Sequence, residues 1–128
     1  MSYYLKKELD HDFETAVAKV TAALAAEGFG IVTEMNVHSI FKNKLNKDFR
    51  KYKILGACSP ADAFNAIAID DKIGTLLPCN VILQEFESGK VEVAAVDPLS
   101  YMENIKNNEM ETILLEIRDR IKKAIDTL

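Results

Sequence analysis

Apolar residues recur with period two in some stretches of the chain and with helical spacing in others, and the changes between the two mark its elements. Tyr3 to Leu9 alternates weakly and predicts an N-terminal strand. Phe13, Val17, Val20 and Leu24 then lie on one helical face behind a capping Asp12, and Gly28 ends that helix with Phe29 folding back on its last turn. Gly30 to Met35 reads as a second strand. Asn36 caps a short helix with Val37, Ile40, Phe41 and Leu45 inside and Lys42 and Lys44 outside, closed by Asn46 in the left-handed conformation. Tyr52 to Ala57 is a third strand, with a helix starting at Pro60 whose apolar face is Ala63, Phe64, Ala66 and Ile67. Asp70 to Lys72 is a polar turn. Val81-Ile82-Leu83, three apolar residues in a row behind Pro78, predict a strand covered on both faces. Ser88-Gly89 reads as a two-residue hairpin turn into a strand from Lys90 to Val96, which Asp97-Pro98 stops. Tyr101 to Asn108 is loose or a short helix. Met110, Leu114, Ile117, Ile121, Ala124 and Leu128 form the clearest helical stripe, with Glu116–Arg120 and Asp119–Lys123 as pairs on the other side.

The order β-α-β-α-β-α-β-β-α predicts an α+β fold: a mixed five-stranded sheet with helices packed mainly on one face. Residues 1–128 read as one domain, in which 109–128 is a C-terminal amphipathic helix that packs on the chain's own sheet or is shared with a second copy. A chain of this length buries about two-thirds of its unfolded surface and needs no staples.

Composition narrows the function classes. A net charge of −4 argues against non-specific nucleic-acid binding, and the aromatic residues are not interleaved with basic ones as on single-strand platforms. The Lys42, Lys44 and Lys47 cluster reads as a solvated face. No run of about 18 apolar residues predicts a membrane helix, and the first residues lack the apolar core of a signal peptide. Two cysteines without a secretion signal predict a reducing, cytoplasmic setting and thiols without a permanent disulfide.

Candidate chemistry concentrates where the third strand meets the next helix. Ser59 suits the N-cap, Pro60 the first helical position, and Asp62 the positive helix end. Cys58 therefore sits just outside a helix N-terminus, a setting that favours a thiolate and a nearby anion. Gly56 leaves room for a ligand or another segment to approach. Cys79, at the start of a later strand, is placed to neighbour Cys58 if the two strands pair antiparallel. The pair reads either as redox, sulfur-carrying or soft-ligand thiols, or as two small buried hydrophobes. Arg50 and Lys53 offer cations to a carboxylate or phosphate, or are surface charges. Asn80 and Asp97 are further candidates for the same cleft, or shape a sheet end and a turn. His11 reads as a solvated turn residue, and His38 faces solvent or a cleft. The two cysteines and two histidines lack the close spacing of a metal site, so no metal is expected, and no cofactor is indicated. No catalytic triad order, phosphate loop or dinucleotide fingerprint occurs, and no convincing base can be named.

Several stretches resemble the domain-of-unknown-function 302 family: Gly28-Phe29-Gly30-Ile31-Val32-Thr33-Glu34, Asp48-Phe49-Arg50, Tyr52 to Cys58, Leu77-Pro78-Cys79-Asn80-Val81, and Asp97-Pro98. The similarity runs from about residue 3 to residue 105 in the same order, and Lys53–Pro60 with Leu77–Val81 is its most specific part. It departs from the family pattern at Lys51, where proline is frequent, and at Ser59, where asparagine is frequent. The resemblance implies a small cytoplasmic α+β domain, often dimeric, with no established activity. Three functions follow. The first is a small-ligand or anion-binding module using Arg50, Lys53, Gly56, Cys58, Ser59, Cys79, Asn80 and Asp97. The second is a structural homodimer without chemistry. The third is a thiol redox or sulfur-carrier protein using Cys58 and Cys79.

Overall fold

The computed structural model describes residues 2–128. Its strands are β1 (Tyr4–Leu9), β2 (Gly30–Asn36), β3 (Tyr52–Cys58), β4 (Cys79–Glu85) and β5 (Val91–Val96), and its helices α1 (Phe13–Ala26), α2 (Val37–Leu45), α3 (Pro60–Ile69) and α4 (Asn108–Asp126). Short 3-10 turns cover Ile73–Leu76 and Pro98–Asn104. The element order and the α+β class are those expected. The sheet runs β1-β5-β4-β3-β2, and every neighbouring pair is antiparallel, where a mixed sheet was expected. Strands β2 to β5 follow one another as an antiparallel meander, and α1 carries the chain from β1 at one edge to β2 at the other, so these two strands, which run in the same direction, never pair.

Local signals explain most boundaries. Asp12 caps α1 by accepting from the Thr15 N–H at 2.7 Å. Gly28 follows α1 at φ +88°, and Phe29 N–H donates back to Leu24 O, which buries the Phe29 ring. Asn46 adopts φ 53° after α2. Asn107 caps α4 through Met110 N–H. The β4–β5 loop inside the closing Phe86–Lys90 pair has three residues, Glu87 to Gly89, rather than two. Phe86 N–H donates to Lys90 O, Gly89 N–H donates to Phe86 O, and Gly89 supplies φ +87°.

One face of the sheet carries the core. Leu5 and Leu9, Val91, Val93 and Ala95, Cys79, Val81 and Leu83, and Leu55 and Ala57 point under α1 and α4. The α4 stripe is buried throughout: Ile117, Ile121 and Ala124 pack into the sheet core, and Met110 and Leu114 form a second cluster with Ala66 and Ile73. Its cations pair differently from the expected helix pairs. Arg120 reaches Asp62 at the start of α3, and Lys123 reaches Glu27.

Three expectations about burial fail. No residue of α2 is buried, since that helix touches the end of β3 rather than the core. On α3 only Ala66 is buried, and Phe64 is 76% exposed, because the helix turns its alanine face inward. Most consequentially, Ile82 points away from the helices, so β4 is covered on one face only within this chain. Among the described residues no helix is long and apolar enough to cross a membrane.

Candidate functional site

Side chains alternate faces along a strand, and that rule sorts the candidate residues. Cys79 faces the helices and is 3% exposed; its neighbour Asn80 faces the other way. Arg50 lies eight positions before Cys58, so extended backbone carries it roughly 25 Å to the opposite end of the sheet. The eight candidates therefore fall into separate places.

The first place is the sulfur end of the sheet. Ala57 pairs with Cys79, which sets Cys58 one step from that pair, and both cysteines line a cavity of about 20 Å³ closed by Phe29, Ser59, Asp62 and Ile117. Such a space holds about one water molecule. Ser59 occupies the N-cap of α3, but its hydroxyl makes no capping bond; its carbonyl accepts from Ala63 N–H. The helix end already has a negative partner in Asp62, which is held by Arg120. Arg120 also donates to Glu27 O at 3.0 Å and lies over the Phe29 ring.

Below this cavity the Pro98–Asn104 turn brings Tyr101 to Cys79. Asp97, 4% exposed, caps that turn through Leu99 N–H at 3.0 Å and accepts from Arg118 Nε at 3.3 Å. Tyr101 and Arg118 come from distant segments, and no local pattern marks them. Burial pushes the Cys79 thiol up from 9.0 to about 11; Cys58 adds to the rise, and the Tyr101 hydroxyl opposes it by hydrogen bonding. Burial raises the Tyr101 phenol too, with Cys79 and Asp97 adding to it.

Both groups hold their protons more tightly in the folded chain than in the unfolded one. The Cys79 contribution to stability is whole below pH 9.0 and is lost as pH rises through about 11. From Cys79 alone the loss should be about 2–3 kcal/mol. Urea unfolding at stepped pH measures it. Cys79→Ala should flatten the alkaline slope, and an unchanged slope would show that the thiol does not carry it.

The second place is the face of the sheet away from the helices. Strand register puts Lys6, Ala94, Ile82, Ile54 and Met35 in one row across it, with Glu92, Gln84 and Tyr52 in the row alongside. A concavity of about 500 Å³ opens there, between Tyr3 and Tyr4 at one end and Tyr52 at the other, with Asn80 on its wall. Ile82 and Ala94 form an apolar floor. Gln84 Nε2 donates to Glu92 Oε1 at 3.2 Å, and Lys6 lies 4.0 Å from the same carboxylate group.

Of the candidate residues, Asn80 belongs to this face, and so does Gly56. The space over Gly56 is taken by the chain itself, since a Cβ there would overlap Thr33 Oγ1 and lie 2.7 Å from Pro78 Cγ. Lys53 turns to the other side and pairs with Glu34 at 2.6 Å. Tyr4, Lys6, Ile82, Gln84, Glu92 and Ala94 were missed as site residues. Their signal was present in the period-two pattern, which places them together once the strand order is known.

The third place is the far rim. Arg50 donates through Nε to Gln84 Oε1 at 2.9 Å, and its guanidinium carbon lies 4.4, 5.6 and 6.0 Å from the ring centres of Phe49, Phe86 and Tyr52. His38 Nδ1 lies 3.0 Å from Tyr52 N and 3.1 Å from Tyr52 O, and so ties α2 to the first residue of β3. His11 lines a separate shallow surface near the β4–β5 turn.

The sequence model for a domain of unknown function, DUF302, matches residues 5–128. The chain belongs to the DUF302 family. The crystal structure of an uncharacterised conserved DUF302 protein from Bacillus stearothermophilus is similar over 98% of both chains, with a TM-score of 0.89 and 19% identity. At that identity the likeness speaks for the fold. No curated protein matches the chain. In this DUF302 domain the family-like blocks meet in space: Tyr52–Cys58 and Cys79–Val81 are partner strands, and Thr33 from the first block packs over Gly56. Asp97 closes the arrangement from the end of β5.

Proposed function

We propose that the protein is a small-ligand-binding module, and that its binding surface is the concavity on the open face of the sheet. The role is the one expected from the sequence; the place moves from the Cys58–Ser59 turn to the sheet face. The observation that carries this reading is a space of about 500 Å³ with an apolar floor and converging polar groups, Asn80, Gln84, Glu92 and Lys6. That size and mixture suit a small organic molecule. The cavity at Cys58 offers about 20 Å³, and Asp62 already supplies the negative charge that α3 favours. A thiol function for Cys79 is less supported, since its burial raises the thiol to about 11 and makes it a poor nucleophile at neutral pH. We place the protein in a reducing cytoplasm with both thiols unpaired, a reading supported by a cysteine count too low for a disulfide framework.

A screen of small metabolites by thermal unfolding tests the proposal, with Ile82→Arg as the control that fills the concavity. Compounds that stabilise the wild type should leave Ile82→Arg unmoved. Equal stabilisation of both would place binding elsewhere.

One observation favours a second reading, a homodimer formed through the same face. Met35, Ile54, Ile82 and Ala94 run as an apolar row across four strands with no cover from the chain's own helices. Sedimentation equilibrium decides between the readings: a dimer that Ile82→Arg converts to monomer supports the interface, and a wild-type monomer rejects it.

A further inference from the structure

Resting on the ligand-binding reading above, we infer that the ligand is a small acid: an apolar body lying over Ile82 and Ala94, with a carboxylate or phosphate held at the rim by Arg50. The argument begins with the chain of polar contacts along one side of the concavity. Arg50 Nε donates to Gln84 Oε1 at 2.9 Å, Gln84 Nε2 donates to Glu92 Oε1 at 3.2 Å, and Lys6 stands 4.0 Å from Glu92. The Gln84 amide is thus used at both ends, oxygen to the arginine and nitrogen to the glutamate. It spaces Arg50 from Glu92, whose charge is matched by Lys6.

Arg50 forms no ion pair with any carboxylate among the described residues, and its two terminal nitrogens, Nη1 and Nη2, have no hydrogen-bond partner among them. Its position is nevertheless fixed. Phe49, Phe86 and Tyr52 surround the guanidinium, and the Gln84 bond sets the angle of its plane. A guanidinium anchored through Nε presents its terminal edge as a two-pronged donor, which matches an oxyanion. Tyr52 and Gln84 belong both to this clamp and to the lining of the concavity, so the free edge and the apolar floor form one continuous surface. The aromatic clamp limits the rotamer entropy that an exposed arginine loses on binding.

Isothermal calorimetry with three matched probes tests this: phenylacetate, phenyl phosphate and the neutral 2-phenylacetamide. Either acid or both should bind the wild type about tenfold or more tightly than the amide, with a preference that weakens at high salt. Arg50→Gln should bring the acids to the level of the amide and leave the amide unchanged. Arg50→Lys should recover part of the preference, since it restores the charge without the fork. The two acids separate carboxylate from phosphate as the favoured head group. Equal affinity for acid and amide, or an acid preference that survives Arg50→Gln, overturns the inference while leaving the binding module standing. If none of the three probes binds, and the metabolite screen finds no compound that depends on Ile82, both fall.

Discussion

Replacing Gly56 with alanine should cost about 3 kcal/mol of folding stability, the upper end of the range for overpacking a close-packed site. The added methyl would overlap Thr33 Oγ1 and approach Pro78 Cγ to 2.7 Å. Neither neighbour yields cheaply. Thr33 follows an irregularity in the β2–β3 pairing and is branched at Cβ, and Pro78 is a ring at the entry to β4. Chemical denaturation of Gly56→Ala measures the cost, and Thr33→Ala supplies the control. It removes the nearest obstacle but leaves Pro78, so in the double variant the glycine substitution should cost roughly half as much. A Gly56→Ala protein within about 0.5 kcal/mol of wild type would mean that the glycine keeps space for something other than the chain itself.

Asp97→Ala should cost a similar amount, about 3 kcal/mol. The carboxylate is buried, and its loss removes two bonds together: the cap on Leu99 N–H and the pair with Arg118, whose side chain is 24% exposed. Asp97→Asn keeps an acceptor for the cap and should lose less. Arg118→Leu on the Asp97→Ala background should recover part of the loss, because the deprived guanidinium is then gone. A local readout separates this role from general destabilisation. The Pro98–Asn104 turn carries Tyr101 against Cys79, so uncapping it should speed labelling of Cys79 by a thiol reagent under conditions where the rest of the fold is intact. Unchanged labelling would show that Asp97 does not hold the turn.

Much of the fold was legible because its signals are local. Asp12, Gly28, Asn46 and the α4 stripe fix their elements through capping, left-handed backbone or helical spacing, all readable within a few residues. Strand direction was less so. Antiparallel pairing throughout depends on how far each connection carries the chain, which no single window records. The candidate residues show a different limit. Cys79 and Asn80 were grouped, yet consecutive strand residues point to opposite faces, and Arg50 was grouped with Cys58 although extended backbone separates them by the length of β3. Both separations follow from strand geometry alone. What no local pattern carried was the meeting of Tyr101 with Cys79 and of Arg118 with Asp97, and the shared surface of Lys6, Ile82 and Glu92. These are assembled from segments far apart in sequence.

The run Val81-Ile82-Leu83 holds the most informative mismatch. It reads as a strand covered on both sides, and the chain covers one. The uncovered residue, Ile82, lies in the floor of the sheet-face concavity, and the binding proposal follows from that position.

Methyl-labelled nuclear magnetic resonance tests the central claim most directly, because isoleucines stand at both candidate places. Ile82 floors the sheet-face concavity, whereas Ile73 and Ile117 line the small cavity beside Cys58 and Cys79. On titration with a compound that raises the melting temperature, the Ile82 methyl signal should move while those of Ile73 and Ile117 stay in place. Movement at Ile73 and Ile117 with Ile82 unaffected would contradict the account and return the site to the Cys58–Ser59 turn.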